Sequence, residues 1–442
     1  MSKLWGLEEK SKTAAWVEKF TVGNDYRLDM KLVPYDVKAS RVHATGLHQM
    51  GVLTDNELTS IDHCLSNLLT DYNDGTFSID PHQEDCHTAI EEYLTKHLGS
   101  VGKKIHTGRS RNDQVLTAMR LFEIDRIDAV LEYSLNVAQK FVSFAKRHEF
   151  VPMPGYTHSQ PAMLSSVGMW SGSFAEMLNS SINLLLSVQE MIDYCPLGTA
   201  AGFGINLPLN RKEVSDRLGF KAPITIAMTA QHTRGKWEST IAHGLCSITG
   251  TLAQFANDLI IYSSLDYQFF AVHDELTTGS SIMPQKKNLD VAEIVRAKHA
   301  QITSKQLMLS QLTTNLSSGY HRDLQLTKEA IIHAFEICLD MLDATLHLIG
   351  GIEVNEEKML EKIYPEMFAA DKANEIALSG MPFRDAYQHV KSNLDELTIE
   401  DIHKKLKAST HLGSTGNLGL EVIERNINHT TTYLSMREYK GD

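Results

Sequence analysis

The sequence lacks the features of a membrane-spanning or secreted protein. It contains no run of about 18 or more apolar residues, the length that a membrane-spanning helix needs, and no apolar leader follows Met1. Its 5 cysteines are odd in number, lie far apart and form no Cys-x-x-Cys pair, which argues against a disulfide framework or a zinc knuckle. We therefore expect a cytoplasmic protein that does not bind membranes.

The chain also lacks an excess of positive charge. Its 442 residues carry 42 basic and 55 acidic side chains, which give a formal net charge of −13. Because nucleic acids and anionic membranes attract basic surfaces, neither is expected as a general partner. An anionic small molecule would instead require a local cluster of basic groups.

Motifs for common cofactors and metals are missing as well. No Gly-rich phosphate loop, dinucleotide fingerprint or Gly-x-Ser-x-Gly elbow occurs. The nearest approach to a metal cluster is His82 with Glu84 and His87. Their spacing matches no usual zinc site and is more typical of a solvated helix start, so no metal site is predicted.

Proline is scarce, and its placement permits long helices. Only 11 prolines occur, and none lies between Pro223 and Pro284 or between Pro284 and Pro365. Apolar residues recur every three, four or seven positions in five segments, a periodicity that predicts amphipathic helices. These apolar stripes run from Ile124 to Ala145, Phe174 to Ile192, Ile241 to Tyr262, Val295 to Leu316, and Ile332 to Ile349.

These patterns predict an all-α protein. No strand-like alternation is long enough to build a sheet, and near-heptad stripes on long helices are typical of a bundle. Several stripes have apolar residues on neighbouring faces, which indicates that subunits share the bundle. We expect three parts: residues 1–105 with shorter helices, residues 106–350 with the long-helix bundle, and residues 351–442 as a smaller helical domain.

Four polar blocks lie between the predicted helices, where functional loops are expected. The first, "HTGRSRNDQ", places Arg111 and Asn112 at the start of a helix. The guanidinium group of arginine and the backbone amides at a helix N-terminus can both bind a carboxylate or a phosphate. An ordinary helix cap would use similar residues. The second, "GYTHSQ", places Thr157 and His158 at the predicted start of the next long helix, where the histidine could transfer a proton or be structural.

The third block, "TGSSIMPQKKN", has no apolar periodicity and is predicted to be a loop. Ser280, Lys286 and Asn288 could surround a substrate carboxylate and stabilise a dianionic intermediate; the alternative is a solvated basic turn. In the fourth block, "YHRDLQLTK", Gln325 and Lys328 are three residues apart and could face one cleft together with Tyr320. A plain polar helix start remains the alternative there.

Together the four blocks resemble the argininosuccinate lyases of the fumarase/aspartase superfamily. "GSSIMPQKKN" is similar to the superfamily signature, and "DVKASRVHA", "EDCHTAIE" and "SGMPFRDAY" also match the family in order. The resemblance implies an all-helical three-domain subunit and a homotetramer whose active sites draw on three subunits. It also implies the reversible cleavage of argininosuccinate to arginine and fumarate, the last step of arginine biosynthesis, without a metal or organic cofactor.

The resemblance further implies catalytic roles. Ser280 would be the general base, and Lys286 would hold the carboxylate that becomes an aci-carboxylate. His158 would assist or position the departing guanidino nitrogen, with Glu293 as its charge partner and Thr157 binding a carboxylate. The substrate-binding residues that it implies are Ser40, Arg111, Asn112, Asn288, Tyr320, Gln325 and Lys328.

The sequence departs from the family pattern in a few places, and alternatives stay open. In residues 224–236 only Arg234 of the usual block is recognisable, and Leu289 stands where proline is usual. A related lyase acting on adenylosuccinate, on acylated argininosuccinate or on another N-succinyl compound is one alternative. A non-catalytic, crystallin-like protein or a plain helical scaffold is another.

Overall fold

The structure is a computed structural model that describes residues 15–399 and 401–438. Helices dominate these residues, and the strands are short. The α-helices are α1 (Ala15–Val22), α2 (Asp25–Leu28), α3 (Val33–Gln49), α4 (Asp55–Asn73), α5 (Cys86–Leu98), α6 (Ser100–Lys103), α7 (Arg111–Arg147), α8 (Val167–Ile192), α9 (Arg211–Leu218), α10 (Ala227–His232), α11 (Lys236–Tyr262), α12 (Asp290–Leu312), α13 (Thr327–Gly350), α14 (Glu356–Leu360), α15 (Ala369–Leu378), α16 (Phe383–Ser392), α17 (Ile402–Ala408) and α18 (Leu420–Glu438). The strands are β1 (Pro152–Thr157), β2 (Gln160–Ser166), β3 (Tyr194–Cys195), β4 (Ala222–Pro223), β5 (Phe270–Val272), β6 (Thr278–Gly279), β7 (Lys287–Asn288) and β8 (Ile352–Val354).

Five long helices form the centre of the molecule, and the all-α prediction is confirmed. Helix α7, with 37 residues, is about 55 Å long at about 1.5 Å per residue. It packs against α8 and α13, while α11 contacts α8, α12 and α13. Aromatic rings fill the interior: the ring of Phe141 lies 5.0 Å from that of Phe255 and 5.5 Å from that of Phe174, centroid to centroid. The apolar stripes of the sequence therefore form this shared core.

One predicted helix end is wrong. The stripe from Val295 was extended to Leu316, but α12 ends at Leu312. Asn315 has a φ of 64°, in the left-handed region, which ends any continuation of a right-handed helix. Helix α13 ends at Gly350 and is capped by Gly351, directly after Ile349, the last residue of its apolar stripe.

The C-terminal part returns to the bundle. Helix α18 packs against α7 and α8, and Lys146 on α7 lies 2.7 Å from a carboxylate oxygen of Glu424 on α18. The division at residues 105 and 350 stays a prediction. Within the described residues, no helix combines the length and apolar character that crossing a lipid bilayer requires.

A second correction concerns Thr157 and His158. They were predicted to start a long helix, but they lie in the β1–β2 hairpin, and α8 begins ten residues later at Val167 behind the N-cap Ser166. Thr157 pairs with Gln160, so His158 and Ser159 form the turn. Their φ values of 53° and 59° are those of a type I′ turn, the geometry that joins twisted antiparallel strands through two residues.

Candidate functional site

A polar cleft of about 190 Å³ lies where α2, the start of α5, the start of α7 and the segment before α13 meet. Five of the residues predicted to bind substrate line it: Arg111, Asn112, Tyr320, Gln325 and Lys328. Six further charged or ionisable residues share the wall: Asp25, Glu84, Asp85, His87, Arg234 and Arg322. The fold thus brings together residues that are about 300 positions apart in the chain, and most of them carry charge.

The start of α7 holds Arg111 in place. Ser110 caps the helix by accepting a hydrogen bond from the Asn112 amide, and the Asp113 side chain accepts one from the Ser110 amide at 2.9 Å. Arg111 then pairs with Asp85 and, at 3.3 Å, with Glu84. Burial alone would raise the pKa of Asp85, but nearby positive charges, including the Arg111 guanidinium, hold it down to about 2.

Lys328 is buried and paired with two carboxylates. Its Nζ lies 2.5 Å from Asp29 Oδ1 and 3.3 Å from Asp25 Oδ2. Burial by itself would lower the pKa of Lys328, but the two carboxylates keep it above its ordinary value. For Asp25 the balance is reversed: burial, together with the neighbouring Asp29, raises its pKa to about 6 in spite of Lys328.

His87 forms a buried dyad with Asp36. Its Nδ1 donates to Asp36 Oδ2 at 2.8 Å, and Gln114 Nε2 donates to both Asp36 oxygens at 3.1 Å. Burial would lower the pKa of His87, but Asp36 outweighs it and raises that pKa. The other ring nitrogen, Nε2, is buried without a hydrogen-bond partner among the described residues, and the residue lines the cleft. It is therefore a polar group left for a ligand or a water molecule.

The donor atoms of Asp29, Cys86 and His87 lie within 4.8 Å of one another, as in a metal site. However, Asp29 already accepts from the Lys328 ammonium and His87 Nδ1 already pairs with Asp36. A cation would have to displace the lysine, so these residues fit an ion-pair network better than a metal centre.

The far wall of the cleft is aromatic and amide-rich. The buried Arg234 guanidinium lies 4.9 Å from the centre of the Tyr320 ring, a cation–π contact that orients both groups. Gln325 Nε2 donates to the Thr21 carbonyl at 2.8 Å, and Arg322 Nη2 donates to the same oxygen at 2.8 Å. These bonds hold the end of α1 at the edge of the cleft.

The residues predicted to do the chemistry lie elsewhere. Thr157 and His158 are exposed at the tip of the β1–β2 hairpin, and Ser280 with Lys286 lies in the loop of the β6–β7 hairpin. Ser280 Oγ accepts from the amides of Met283 at 3.1 Å and Ile282 at 3.4 Å. In the described part of the chain, neither hairpin lines the cleft.

The other predicted residues also lie outside the cleft wall. Asn288 is in β7, and Glu293 is exposed in the first turn of α12. Ser40 is fully buried in α3, where its Oγ accepts from Arg109 Nη1 at 2.8 Å. This geometry gives Ser40 a role in holding Arg109, and its contact with substrate stays a prediction.

Sequence reasoning missed Asp25 as a cleft residue and gave His87 no role beyond a doubtful metal cluster. Asp25 lies in "GNDYRLD", which has no motif that marks it. His87 belongs to the "EDCHTAIE" block, whose likeness to the family was the available signal. Its pairing with Asp36 spans 51 residues, and spacing along the chain does not reveal such a contact.

Comparisons with known proteins show which family the chain belongs to. The family described as "Lyase" matches residues 8–304. An argininosuccinate lyase of Thermotoga neapolitana is 41% identical over 389 residues, covering 88% of this chain and 97% of that protein. One of Sorangium cellulosum is 38% identical, covering 96% of this chain and 98% of that protein.

Solved structures show the same fold at low identity. An EDDS lyase in complex with formate superimposes with a TM-score of 0.79 at 19% identity, covering 98% of this chain and 93% of that chain. The class II fumarase from Schistosoma mansoni gives 0.72 at 16% identity, covering 92% and 97%. From the extent and identity of the sequence matches, the chain belongs to the argininosuccinate lyase family within the fumarase/aspartase superfamily.

Proposed function

We propose that the protein is a carbon–nitrogen lyase that cleaves argininosuccinate reversibly to arginine and fumarate, the last step of arginine biosynthesis. The observation that carries this proposal is the cleft: five of the residues that the resemblance assigns to substrate binding meet there. The argininosuccinate lyases that it resembles at about 40% identity over most of the chain support the same reaction. A cytoplasmic location fits such an enzyme.

The first step is removal of a proton from the succinyl carbon beside a carboxylate. Ser280 acts as the base, and its Oγ already accepts hydrogen bonds from two backbone amides. Because hydrogen bonds to a charged form stabilise it, these amides lower the cost of the alkoxide. The electron pair of the broken C–H bond moves into the carboxylate, and Lys286 with Asn288 stabilises the resulting aci-carboxylate.

The second step breaks the carbon–nitrogen bond. The electron pair returns from the aci-carboxylate to form the double bond of fumarate, and the bonding pair leaves with the guanidino nitrogen. His158 supplies or positions the proton that this nitrogen takes up, with Glu293 as its charge partner, while Thr157 binds a carboxylate. Arg111, Asn112, Tyr320, Gln325 and Lys328 hold the two ends of the substrate.

These roles require the hairpins and the cleft to meet, and we propose that a homotetramer brings them together. The exposed apolar side chains of Ile294, Leu307 and Met308 on α12 support this assembly, because a long helix with apolar residues on its outer face needs a further neighbour. Each active site would combine the cleft of one copy with hairpins of others. The three-part division at residues 105 and 350 belongs to the same proposal.

The test is product formation. Fumarate absorbs in the ultraviolet because its double bond is conjugated, and the saturated substrate does not, so absorbance reports cleavage directly. We expect fumarate to form from argininosuccinate and not from adenylosuccinate. Because the purine ring of adenylosuccinate also absorbs in the ultraviolet, fumarate from that compound is measured after chromatographic separation. Fumarate only from adenylosuccinate would assign the chain to a different substrate, and no fumarate from either compound with a folded protein would reject the proposal.

A further inference from the structure

A buried group of charged side chains lies behind the cleft, and the proposed mechanism gives it no role. Its four members are at most 7% exposed and are linked by an ion pair and by electrostatic interactions: Arg120, Glu123, Arg234 and Glu238. The first two belong to α7, whereas the other two lie just before α11 and in its first turn. Because buried charges are costly unless they are compensated, the pairing within this group decides what it does.

Arg120 has its partners within this group and beside it. Its Nη1 donates to Glu123 Oε2 at 2.7 Å, and its guanidinium lies 4.3 Å from the centre of the Trp237 ring. Burial raises the pKa of Glu123 to about 8; Arg120 opposes this shift and Glu238 adds to it. Glu123 therefore keeps its proton at neutral pH, which leaves Glu238 as the anion of the group.

Glu238 has no hydrogen bond that would explain its burial. Its Oε2 is buried without a hydrogen-bond partner among the described residues, so this oxygen caps no backbone amide of α11. The same is true of Nη1 of Arg234, four residues earlier in the chain. Burial lowers the pKa of Arg234, and Tyr320, Glu238 and Asp25 oppose this shift. Since opposite charges attract strongly where water is excluded, Glu238 compensates the charge of Arg234 from behind the cleft.

Arg234 connects this group to the cleft. It lines the cleft, and its guanidinium lies 4.9 Å from the centre of the ring of Tyr320, which is assigned to substrate binding. The next residue, Gly235, has a φ of 76°, and a side chain at this position would collide with Thr313. The backbone turn thus fixes where the Arg234 side chain begins, and the charge behind it determines where the guanidinium lies.

We propose that Glu238 is a positioning residue of the active site, whose buried carboxylate holds the Arg234 guanidinium against the ring of Tyr320. This inference rests on the proposed function and gives Glu238 no contact with substrate. Without the carboxylate, Arg234 would be a buried cation that lacks its nearest compensation on α11, and its guanidinium would move away from the ring. Tyr320 would then lose the group that supports its ring, and substrate binding would weaken.

The test is a double-mutant cycle of Glu238 and Arg234 in the full-length protein. Fumarate release gives KM and kcat for argininosuccinate in wild type, Glu238→Gln, Arg234→Gln and the double variant. Glu238→Gln should raise KM about tenfold and change kcat by less than about threefold, within the range of coupling between neighbouring charged residues. In the Arg234→Gln background the same change should raise KM by less than about threefold, because the residue through which Glu238 acts is absent.

Glu123→Gln is the matched control for the loss of a buried glutamate. It retains the neutral state that Glu123 has at neutral pH, so KM should stay within about twofold of wild type. Glu238→Asp keeps the charge on a shorter side chain and should restore part of the lost affinity. Equal rises of KM in Glu123→Gln and Glu238→Gln, equal factors in the two backgrounds, or an unchanged KM in Glu238→Gln would each overturn the inference.

Urea unfolding at one protein concentration supplies a readout that does not need turnover. Glu238→Gln should lower the urea midpoint of wild type and lower it less in Arg234→Gln, where Glu238 has already lost its partner. Equal shifts in the two backgrounds would overturn the inference.

The outcomes also separate this inference from the proposed function. Fumarate release from argininosuccinate without coupling between Glu238 and Arg234 in KM would reject the role of Glu238 alone. Coupled unfolding without fumarate release would reject the proposed reaction, while the pairing of Glu238 with Arg234 stands.

Discussion

The cleft and the two hairpins hold their functional groups in opposite ways. In the cleft, Arg111 and Lys328 are paired with carboxylates and fixed by burial and a helix cap before any ligand arrives. On the hairpins, His158 and Lys286 are exposed to solvent in short turns. The charged groups of the cleft are thus preorganised within one chain, whereas the groups assigned to proton transfer are exposed to solvent. The proposed homotetramer would account for this difference, because association of copies would bring the hairpins to the cleft.

The largest expected effect comes from the base. Ser280→Ala should lower kcat by about 10³-fold, within the range by which positioned general bases accelerate reactions. The measurement is the rate of fumarate absorbance with argininosuccinate. Its matched control is Ser281→Ala, which removes the neighbouring exposed hydroxyl and should keep most of the activity. Equal activity loss in the two variants would show that the loop, and not the Ser280 hydroxyl, matters.

The next effect concerns the tip of the β1–β2 hairpin. His158→Asn should lower kcat by about 10²-fold through loss of proton transfer, while the hairpin persists because asparagine tolerates the left-handed φ of 53°. Ser159→Asn tests the same turn at a φ of 59° and should leave kcat within about twofold. Steady-state kinetics compare the kcat values of the two variants, and thermal unfolding curves compare their stability. An unchanged kcat in His158→Asn would contradict a role of this histidine in the mechanism.

A smaller effect is expected in the cleft when the pH changes. Asp25 lines the cleft and its pKa is about 6. Because its negative charge favours a cationic ligand such as L-arginine, the Kd for L-arginine should rise about tenfold between pH 7 and pH 5, as Asp25 takes up a proton. The charged groups that act on Asp25 or line the cleft with it are Lys328, Asp29, Asp85, Glu84, Arg111, Arg234, Arg322 and His87. Because Asp36 raises the pKa of His87, its ring stays largely protonated at pH 6 and below.

The control for this pH effect is Asp25→Asn, titrated calorimetrically at the same pH values. The rise in Kd should disappear in the variant, since asparagine does not titrate. A rise of the same size in both proteins would assign it to another group and contradict the role of Asp25.

The smallest effect comes from the helix cap that orients Arg111. Ser110→Ala removes the side-chain cap of α7 and should lower the free energy of unfolding by about 1 kcal/mol. Thr54→Ala removes the equivalent capping box of α4, away from the cleft, and should cost about the same. Urea unfolding measures both, and only Ser110→Ala should also raise KM. A raised KM in both variants would mean that stability, not the orientation of Arg111, controls binding.

The helical bundle was predictable because its signal is local. Apolar residues at helical spacing mark one buried face, and the glycines after Ile349 mark an end, so α7, α8, α11 and α13 follow from the sequence. The end of α12 at Leu312 depends on the left-handed conformation of Asn315. Asparagine adopts this conformation more often than most residues, but its presence alone does not fix a helix end. The β1–β2 hairpin was missed because its turn is His–Ser and not a glycine-containing pair, so no sequence signal marks the two positive φ values.

Part of the cleft was predictable because its residues lie in motifs that resemble those of the family. The resemblance assigned Arg111, Asn112, Tyr320, Gln325 and Lys328 to one site, and the fold brings them together. Asp25 and the dyad of His87 with Asp36 depend on contacts across 51 or more residues, which neither propensity nor spacing encodes.

The measurement that tests the central claim most directly is complementation between inactive variants. Ser280→Ala disables a hairpin and Arg111→Gln disables the cleft, and each protein alone should release almost no fumarate from argininosuccinate. If copies share their sites, chains unfolded and refolded together should regain activity, because some sites would combine an intact cleft with an intact hairpin. Mixed oligomers, verified by mass, that remain as inactive as the separate proteins would contradict the shared site.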